Sequence, residues 1–261
     1  MSWFQALILG LIQGLTEFLP VSSSGHLEIG KVLLNIEVQE SLSFTVLVHF
    51  ATVLSTIAVF YKDIKKLLAG LFQFKWNEET RYISKILLSM LPVLVVGLLF
   101  REEVESFFTG NLVLVGGALI VTAILLFSTQ LVKPGKKKIP FLDAFIMGIA
   151  QAIATVPGIS RSGATISTGL LLKNGRSDVA QFSFLMVLLP IIGAGLLDIL
   201  SFSSSTSEAG IAAGSLVIGF LAAFISGYLA CRWMINLIKK GNLYWFAIYC
   251  AIVGVISIIF A

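Results

Sequence analysis

The sequence predicts an all-α polytopic membrane protein built as an inverted repeat, each half holding one re-entrant helical hairpin and three transmembrane helices. Three observations carry the prediction. The composition is too apolar for a water-soluble chain, two pairs of apolar segments are interrupted by proline, serine and glycine, and one interrupted pair matches the other at a shift of 138 residues.

Of 261 residues, 57% are apolar and 12% charged, against roughly 45–50% and about 25% in soluble domains. The mean hydropathy is +0.97. These values exclude a soluble fold, and they exclude disorder, which needs low hydrophobicity and high charge. The net charge of +4 is spread in short basic clusters between apolar runs. That is a topology signal and no nucleic-acid footprint, so no nucleic-acid partner is expected. Cys231 and Cys250 both stand inside apolar segments, which argues against a disulfide scaffold or a zinc site. The first lysine is Lys31, and Gln5, Gln13 and Glu17 precede it, so residues from Met1 onward are expected to belong to the fold rather than to a cleaved signal peptide.

In chain order the apolar segments are 3–19, 22–34, 42–61, 83–100, 111–132, 141–156, 160–172, 179–200, 211–238 and 243–260. Segments 3–19 with 22–34, and 141–156 with 160–172, are too short and too broken to be straight spans and read as hairpins that enter and turn back. The other six approach or exceed the roughly 20 residues a span needs. Under the 138-residue shift, Ala6, Ile8, Gly10, Gln13, Ser22, Ser24 and Gly25 fall on Ala144, Ile146, Gly148, Gln151, Ser160, Ser162 and Gly163, seven identities in twenty positions. Chance allows one or two, so one membrane domain over 1–261 is expected, with repeat one at about 1–132 and repeat two at about 139–261.

Three spans per repeat is an odd number, so the second repeat must be inverted relative to the first. Walking the chain on that topology puts fifteen of the eighteen Lys and Arg residues on one side, among them Lys62, Lys65, Lys66, Lys136, Lys137, Lys138, Lys239 and Lys240, and only Lys31 and Arg101 on the other. The basic side is then cytoplasmic and both termini face outward. The remaining basic residue is Arg161, in the second break at membrane depth.

An arginine at that depth costs about 2.5–3.5 kcal/mol on insertion scales and calls for an anionic ligand or a buried partner. Glu17 is the acidic residue at comparable depth in the first hairpin, so an ion pair and an anion site both stay open. Gln13 and Glu17 are spaced i and i+4 and share a helix face. Pro20 and the serine run Ser22, Ser23, Ser24 then turn the chain toward His26, and Pro157, Gly158, Ser160, Arg161, Ser162, Gly163 and Thr165 form the second break. Serine N-caps at both restarts would aim two half-helix N-termini at mid-membrane, a recurrent way to hold an anion. A guanidinium fork with hydroxyls and amides suits phosphate or diphosphate. Ser22, Ser24, Ser160, Ser162, Gly163 and Thr165 are thus candidate phosphate-binding residues, and His26, Glu17, Ser23 and Arg161 candidate catalytic ones. His26 can serve as nucleophile, acid or base. His49, in the run Val46 to Phe50, reads as a packed structural histidine. A carboxylate beside phosphate is explained by a bridging divalent cation, with Glu17 and Gln13 as its protein ligands, or by a proton-accepting role. Asp143, Asp178 and Asp198 are expected at the interface, and Glu78, Glu79, Glu102, Glu103 and Glu105 in solvated loops.

The stretches LTEFLPVSSSGH and PGISRSGAT resemble the undecaprenyl-diphosphate phosphatase family, the integral membrane phosphatases linked to bacitracin resistance, and the resemblance spans nearly the whole chain. It implies an inverted-repeat fold in the bacterial cytoplasmic membrane and removal of the terminal phosphate of undecaprenyl diphosphate, recycling the lipid carrier for cell-wall polymers. It also implies dependence on a divalent cation, Mg2+ or Ca2+. Carried over by position, the family's glutamate motif falls on Gln13 and Glu17, its serine and histidine on Ser23 and His26, and its serine and arginine on Ser160 and Arg161. Many members have glutamate where this chain has Gln13. Lipid phosphatases with two histidines are a looser likeness, and no histidine follows Arg161 here. Expected partners are a polyprenyl diphosphate, membrane lipids and a homodimeric second copy. A lipid flippase and an anion channel are the rival readings. His26, Ser23 and Glu17 beside the anion site favour an enzyme, since a carrier needs donors but no nucleophile.

Overall fold

The computed structural model describes residues 1–36, 38–105, 107, 111–133, 135–202 and 212–261, with side chains except at 38–43, 101, 105 and 194–202. Described residues form helices α1 (Trp3–Phe18), α2 (Ser23–Leu33), α3 (Val38–Val59), α4 (Tyr61–Leu71), α5 (Glu78–Leu99), α6 (Arg101–Glu105), α7 (Leu112–Ser128), α8 (Phe141–Ile153), α9 (Arg161–Leu171), α10 (Arg176–Phe202), α11 (Ala213–Lys240) and α12 (Tyr244–Ile259). The all-helical class is therefore as the sequence predicts. Glu78–Leu99, Leu112–Leu131, Arg176–Gly193 and Ala213–Lys240 are long and apolar enough to cross a membrane. Only 11% of the most apolar window of α5 is buried against protein. A soluble fold could not leave that much apolar surface in water, whereas lipid solvates it without cost. The chain is a multi-pass membrane protein.

Two expectations are revised. Segment 42–61 is not an isolated span, because the helix bends by 76° at Phe60 and continues as α4. The lysine-rich α4 was not anticipated. Its Asp63 Oδ1 accepts a hydrogen bond from Gln181 Nε2 on α10 at 2.8 Å, which ties the bend to the end of the bundle. Segment 243–260 yields α12, whose 16 residues span about 24 Å at 1.5 Å per residue, short of a full hydrocarbon core.

Both hairpins return to the end from which they start. Gln5 Nε2 at the start of α1 donates to the carbonyl of Leu34 just past α2, at 3.1 Å. At the second hairpin, Asn174 Nδ2 beyond α9 donates to Asp143 Oδ2 in the first turn of α8, at 2.8 Å. Asp143 also pairs with Lys137 at 2.8 Å and is 5% exposed, so at its helix end it serves as a strut buried against protein. Glu78 and Glu79 stand in the first turn of α5, which Asn77 caps, and pair with Lys138 and Lys66, so they belong to a helix start and not to a loop. The side chains of Asp198, Glu105 and Arg101 lie outside the described residues.

The hairpin helices are clasped by the long ones. α1 packs on α11 and α8 on α5, α3 meets both α10 and α11, α10 meets α5, and α7 lies against α12 and α9. Small residues permit the closest approaches, as in membrane bundles generally. Gly14 of α1 faces Ser226 and Ala223 of α11, and Gly148 of α8 faces the backbone of Ser89 on α5. Phe18, Leu119, Met147, Ile166, Phe182 and Phe184 fill the core around the two breaks.

Candidate active site

Each break is shaped by its own residues. After Phe18, the chain turns through Pro20 and reaches Ser22 at φ 70°, a left-handed conformation uncommon for a residue with a side chain. Ser22 Oγ then caps α2 by accepting from the Gly25 N–H at 3.2 Å, and lies 3.3 Å from Ser24 Oγ. The second break repeats the arrangement. Ser160 Oγ accepts from the Gly163 N–H at 3.0 Å and lies 3.2 Å from Ser162 Oγ. Both serine caps are as the sequence predicts.

The breaks meet backbone to backbone. A Cβ at Gly25 would stand 3.1 Å from Gly158 Cα, so the first turn of α2 rests on the loop before α9. Gly158 has φ +95°, and a Cβ there would lie 2.6 Å from the carbonyl oxygen of Val115 on α7. Thr122 of α7 holds the same loop, donating to the Gly158 carbonyl at 3.2 Å and accepting from the Ser160 N–H at 3.0 Å. Ser162 Oγ crosses to the first break and donates to the Leu19 carbonyl at 3.1 Å.

Glu17 is the hub. Its Oε1 accepts from Arg161 Nη2 at 2.9 Å, and its Oε2 accepts from Gln13 Nε2 at 2.9 Å and from Ser23 Oγ at 2.6 Å. The Glu17 side chain is 7% exposed and that of Arg161 27%. Of the two alternatives weighed from sequence the ion pair is formed, and the Arg161 side chain keeps partial exposure. Beside it opens a pocket walled by Glu17, Arg161, Ser162 and Thr165, with Thr52 and Thr56 from α3, Gln151 from α8, and Ser183, Phe184, Val187 and Ile191 from α10.

The profile of the family described as Bacitracin resistance protein BacA matches residues 6–256. The chain belongs to this family. Among curated relatives, the undecaprenyl-diphosphatase of Bacteroides fragilis strain YCH46 is 56% identical over 261 residues, covering 99% of this chain and 98% of its own. That of Parabacteroides distasonis is 55% identical over 260 residues, 99% and 98% of the two chains. That of Christiangramia forsetii is 53% identical over 263 residues, 100% and 99%.

In this BacA-family chain not every predicted site residue joins the hub. Gln13, Glu17, Ser23 and Arg161 touch one another, while the capping serines and Thr165 surround them. Thr165 Oγ1 donates to the Arg161 carbonyl at 2.9 Å. His26 stands one turn further along α2 and bonds to none of the four. Its Nδ1 lies 2.8 Å from the Ser22 carbonyl, which only accepts, so the proton resides there. Nε2 is left as acceptor for the Tyr249 hydroxyl at 2.8 Å. His49 Nδ1 donates to Thr45 O within its own helix, at 2.8 Å, and its ring stands within electrostatic reach of Glu17 and Arg161, a proximity the sequence did not signal. Sequence reasoning missed Tyr249, Thr122 and Ser183. For Gln151 a signal existed, since it is the repeat mate of Gln13.

Proposed function

We propose that this protein is an undecaprenyl-diphosphatase, hydrolysing undecaprenyl diphosphate to undecaprenyl phosphate and inorganic phosphate and so returning the lipid carrier to cell-wall polymer synthesis. Bacitracin resistance follows from that turnover, in keeping with the family's name. The observation that carries the reading is the Arg161 to Glu17 contact, which joins a phosphate-matching guanidinium to a carboxylate that accepts from the Ser23 hydroxyl, at two facing serine-capped breaks.

The membrane-spanning scaffold is one domain built as an inverted repeat in the cytoplasmic membrane, both termini outside. What supports this is that the 138-residue shift carries the starts of α2 and α3 onto those of α9 and α10. The pairing of α1 with α11 answers that of α8 with α5. The basic segments around Lys66, Lys138 and Arg176 gather at one end through Glu79, Glu78 and Lys240. Re-entrant hairpins from opposite ends bring the breaks together near the middle.

The substrate's phosphates enter beside Arg161 and draw the guanidinium's free donors, while the N-termini of α2 and α9 add oriented N–H groups. The pocket is about 20 Å³, room for little more than a water, so it widens to admit the diphosphate, with Phe18, Phe184, Val187 and Ile191 as its apolar wall. Ser23 is the attacking group the geometry supports best, because its hydroxyl hydrogen already points at Glu17. Attack on the terminal phosphorus breaks the anhydride P–O bond, releases undecaprenyl phosphate, and passes the Ser23 proton to Glu17. Water then frees inorganic phosphate from Ser23, Glu17 returning its proton to the Ser23 oxygen and the proton of water passing to His26 Nε2 once that nitrogen gives up the Tyr249 hydroxyl. Among the described residues no three or more His, Cys, Asp or Glu side chains cluster to hold a metal, so a hard divalent cation would take few protein ligands. Gln13 Oε1 is buried with no hydrogen-bond partner among the described residues and lies on the side chain that touches Glu17. These two would hold Mg2+ or Ca2+, with substrate oxygens supplying further ligands. When bound, the cation neutralises charge on the transferring phosphoryl group.

The test is inorganic phosphate release from undecaprenyl diphosphate by the purified protein in proteoliposomes, with and without EDTA. Chelator-sensitive release supports the proposal. A folded wild-type protein that moves the lipid across the bilayer but releases no phosphate overturns it in favour of transport.

A further inference from the structure

Buried polar side chains normally find partners, and those that do not point to something missing from the site. Most polar residues walling the pocket are satisfied. Thr52 donates to the His49 carbonyl, Thr56 to that of Thr52, Thr165 to that of Arg161, and Ser162 to that of Leu19. Gln151 and Ser183 are different. Gln151 is 1% exposed and Ser183 3%. Yet neither amide atom of Gln151 nor the Ser183 hydroxyl has a hydrogen-bond partner among the described residues. Both face the pocket that Arg161 and Glu17 share.

We infer that Gln151 and Ser183 are further substrate-binding residues, which donate hydrogen bonds to phosphate oxygens of the diphosphate in the pocket beside Arg161. The inference rests on the phosphatase reading above. Chemically the pair suits the ligand. An amide NH2 offers two donors and a hydroxyl one, without adding charge, and they stand on α8 and α10, the helices either side of the one that carries Arg161. The anion is then gripped from several directions by uncharged donors held in place on the helices. Gln151 Oε1 remains as an acceptor for a protonated phosphate oxygen. Burying these polar groups without a protein partner among the described residues costs stability.

This predicts an inverse relation between stability and binding. Gln151→Met and Ser183→Ala remove the unpaired polar atoms while keeping most of the packing. In detergent-purified full-length protein, each is expected to leave Tm unchanged or raised and to raise the KM for undecaprenyl diphosphate about tenfold, as loss of one such hydrogen bond does, with kcat little changed. The calorimetric Kd for methylene diphosphonate, a non-hydrolysable diphosphate, should weaken in parallel. Unchanged KM and Kd in both variants would overturn the inference, since the groups would then only share an ordered water. A KM increase accompanied by a matching loss of Tm would also overturn it, as a packing defect. Calorimetric binding reads the inference even without turnover. Absence of phosphate release by wild type counts against the phosphatase reading, and equal diphosphonate affinity in wild type and variants counts against this one.

Discussion

The carboxylate of Glu17, in the last turn of the helix before the first break, accepts a 2.9 Å hydrogen bond from Arg161, the first residue of the helix after the second break and 144 positions away. The two breaks are thereby fastened into one polar centre inside an apolar bundle. Burial of each charge is tolerable because the other is present.

Removing one partner should therefore cost more than removing both. Arg161→Ala leaves Glu17, 7% exposed, with an uncompensated charge, a change that typically costs about 3–5 kcal/mol. Thermal unfolding in detergent should show a marked fall in Tm for Arg161→Ala, and recovery of most of it in the Glu17→Met, Arg161→Met double variant. A double variant less stable than either single would contradict the pairing.

Arg161→Lys keeps the positive charge but loses the planar fork. If the fork grips the transferring phosphoryl group most tightly in the transition state, kcat should fall by about a hundredfold or more while KM rises little. Steady-state kinetics check this. A rise in KM with kcat unchanged would reduce Arg161 to a ground-state contact.

The caps separate stability from anion binding. Ser160→Ala removes the acceptor for the Gly163 N–H and should cost about 1 kcal/mol. Ser160→Asp keeps an acceptor, and so should keep Tm, yet puts a carboxylate where phosphate belongs and should raise KM steeply. Comparing Tm and KM for the two variants checks both statements.

How much of this was legible in the sequence depends on how local each signal was. The breaks were, because proline, glycine and serine act on their own neighbours, and Ser22 and Ser160 cap the helices they precede. The identities Gln13 with Gln151 and Gly25 with Gly163 at one fixed shift were visible in the sequence as well. The bend at Phe60 was not, because no proline or glycine marks it and it is held by Asp63 reaching Gln181 on a distant helix. Tyr249 was one aromatic among many in an apolar run, and only folding brings it to His26. Ser183 was hidden for the opposite reason, since a lone serine in a span usually bonds its own helix and this one does not.

Gly158 offers a steric test of the loop between α8 and α9. With φ +95° and the Val115 carbonyl 2.6 Å from the position a Cβ would take, Gly158→Ala must displace the loop or α7. Lowered Tm and lost phosphate release are expected. Gly117→Ala on the same neighbouring helix, with nothing within 4 Å, serves as the neutral control. Normal activity in Gly158→Ala would contradict the close approach of the breaks.

The central claim, that the two breaks form a single catalytic centre, is tested most directly by kcat/KM for undecaprenyl diphosphate in Glu17→Ala, Arg161→Ala and the double variant, each confirmed to be folded. Residues that act as one unit are strongly non-additive, so each single substitution should cost about as much as the double. If the separate losses multiplied in the double variant, Glu17 and Arg161 would be acting independently and the account would be wrong.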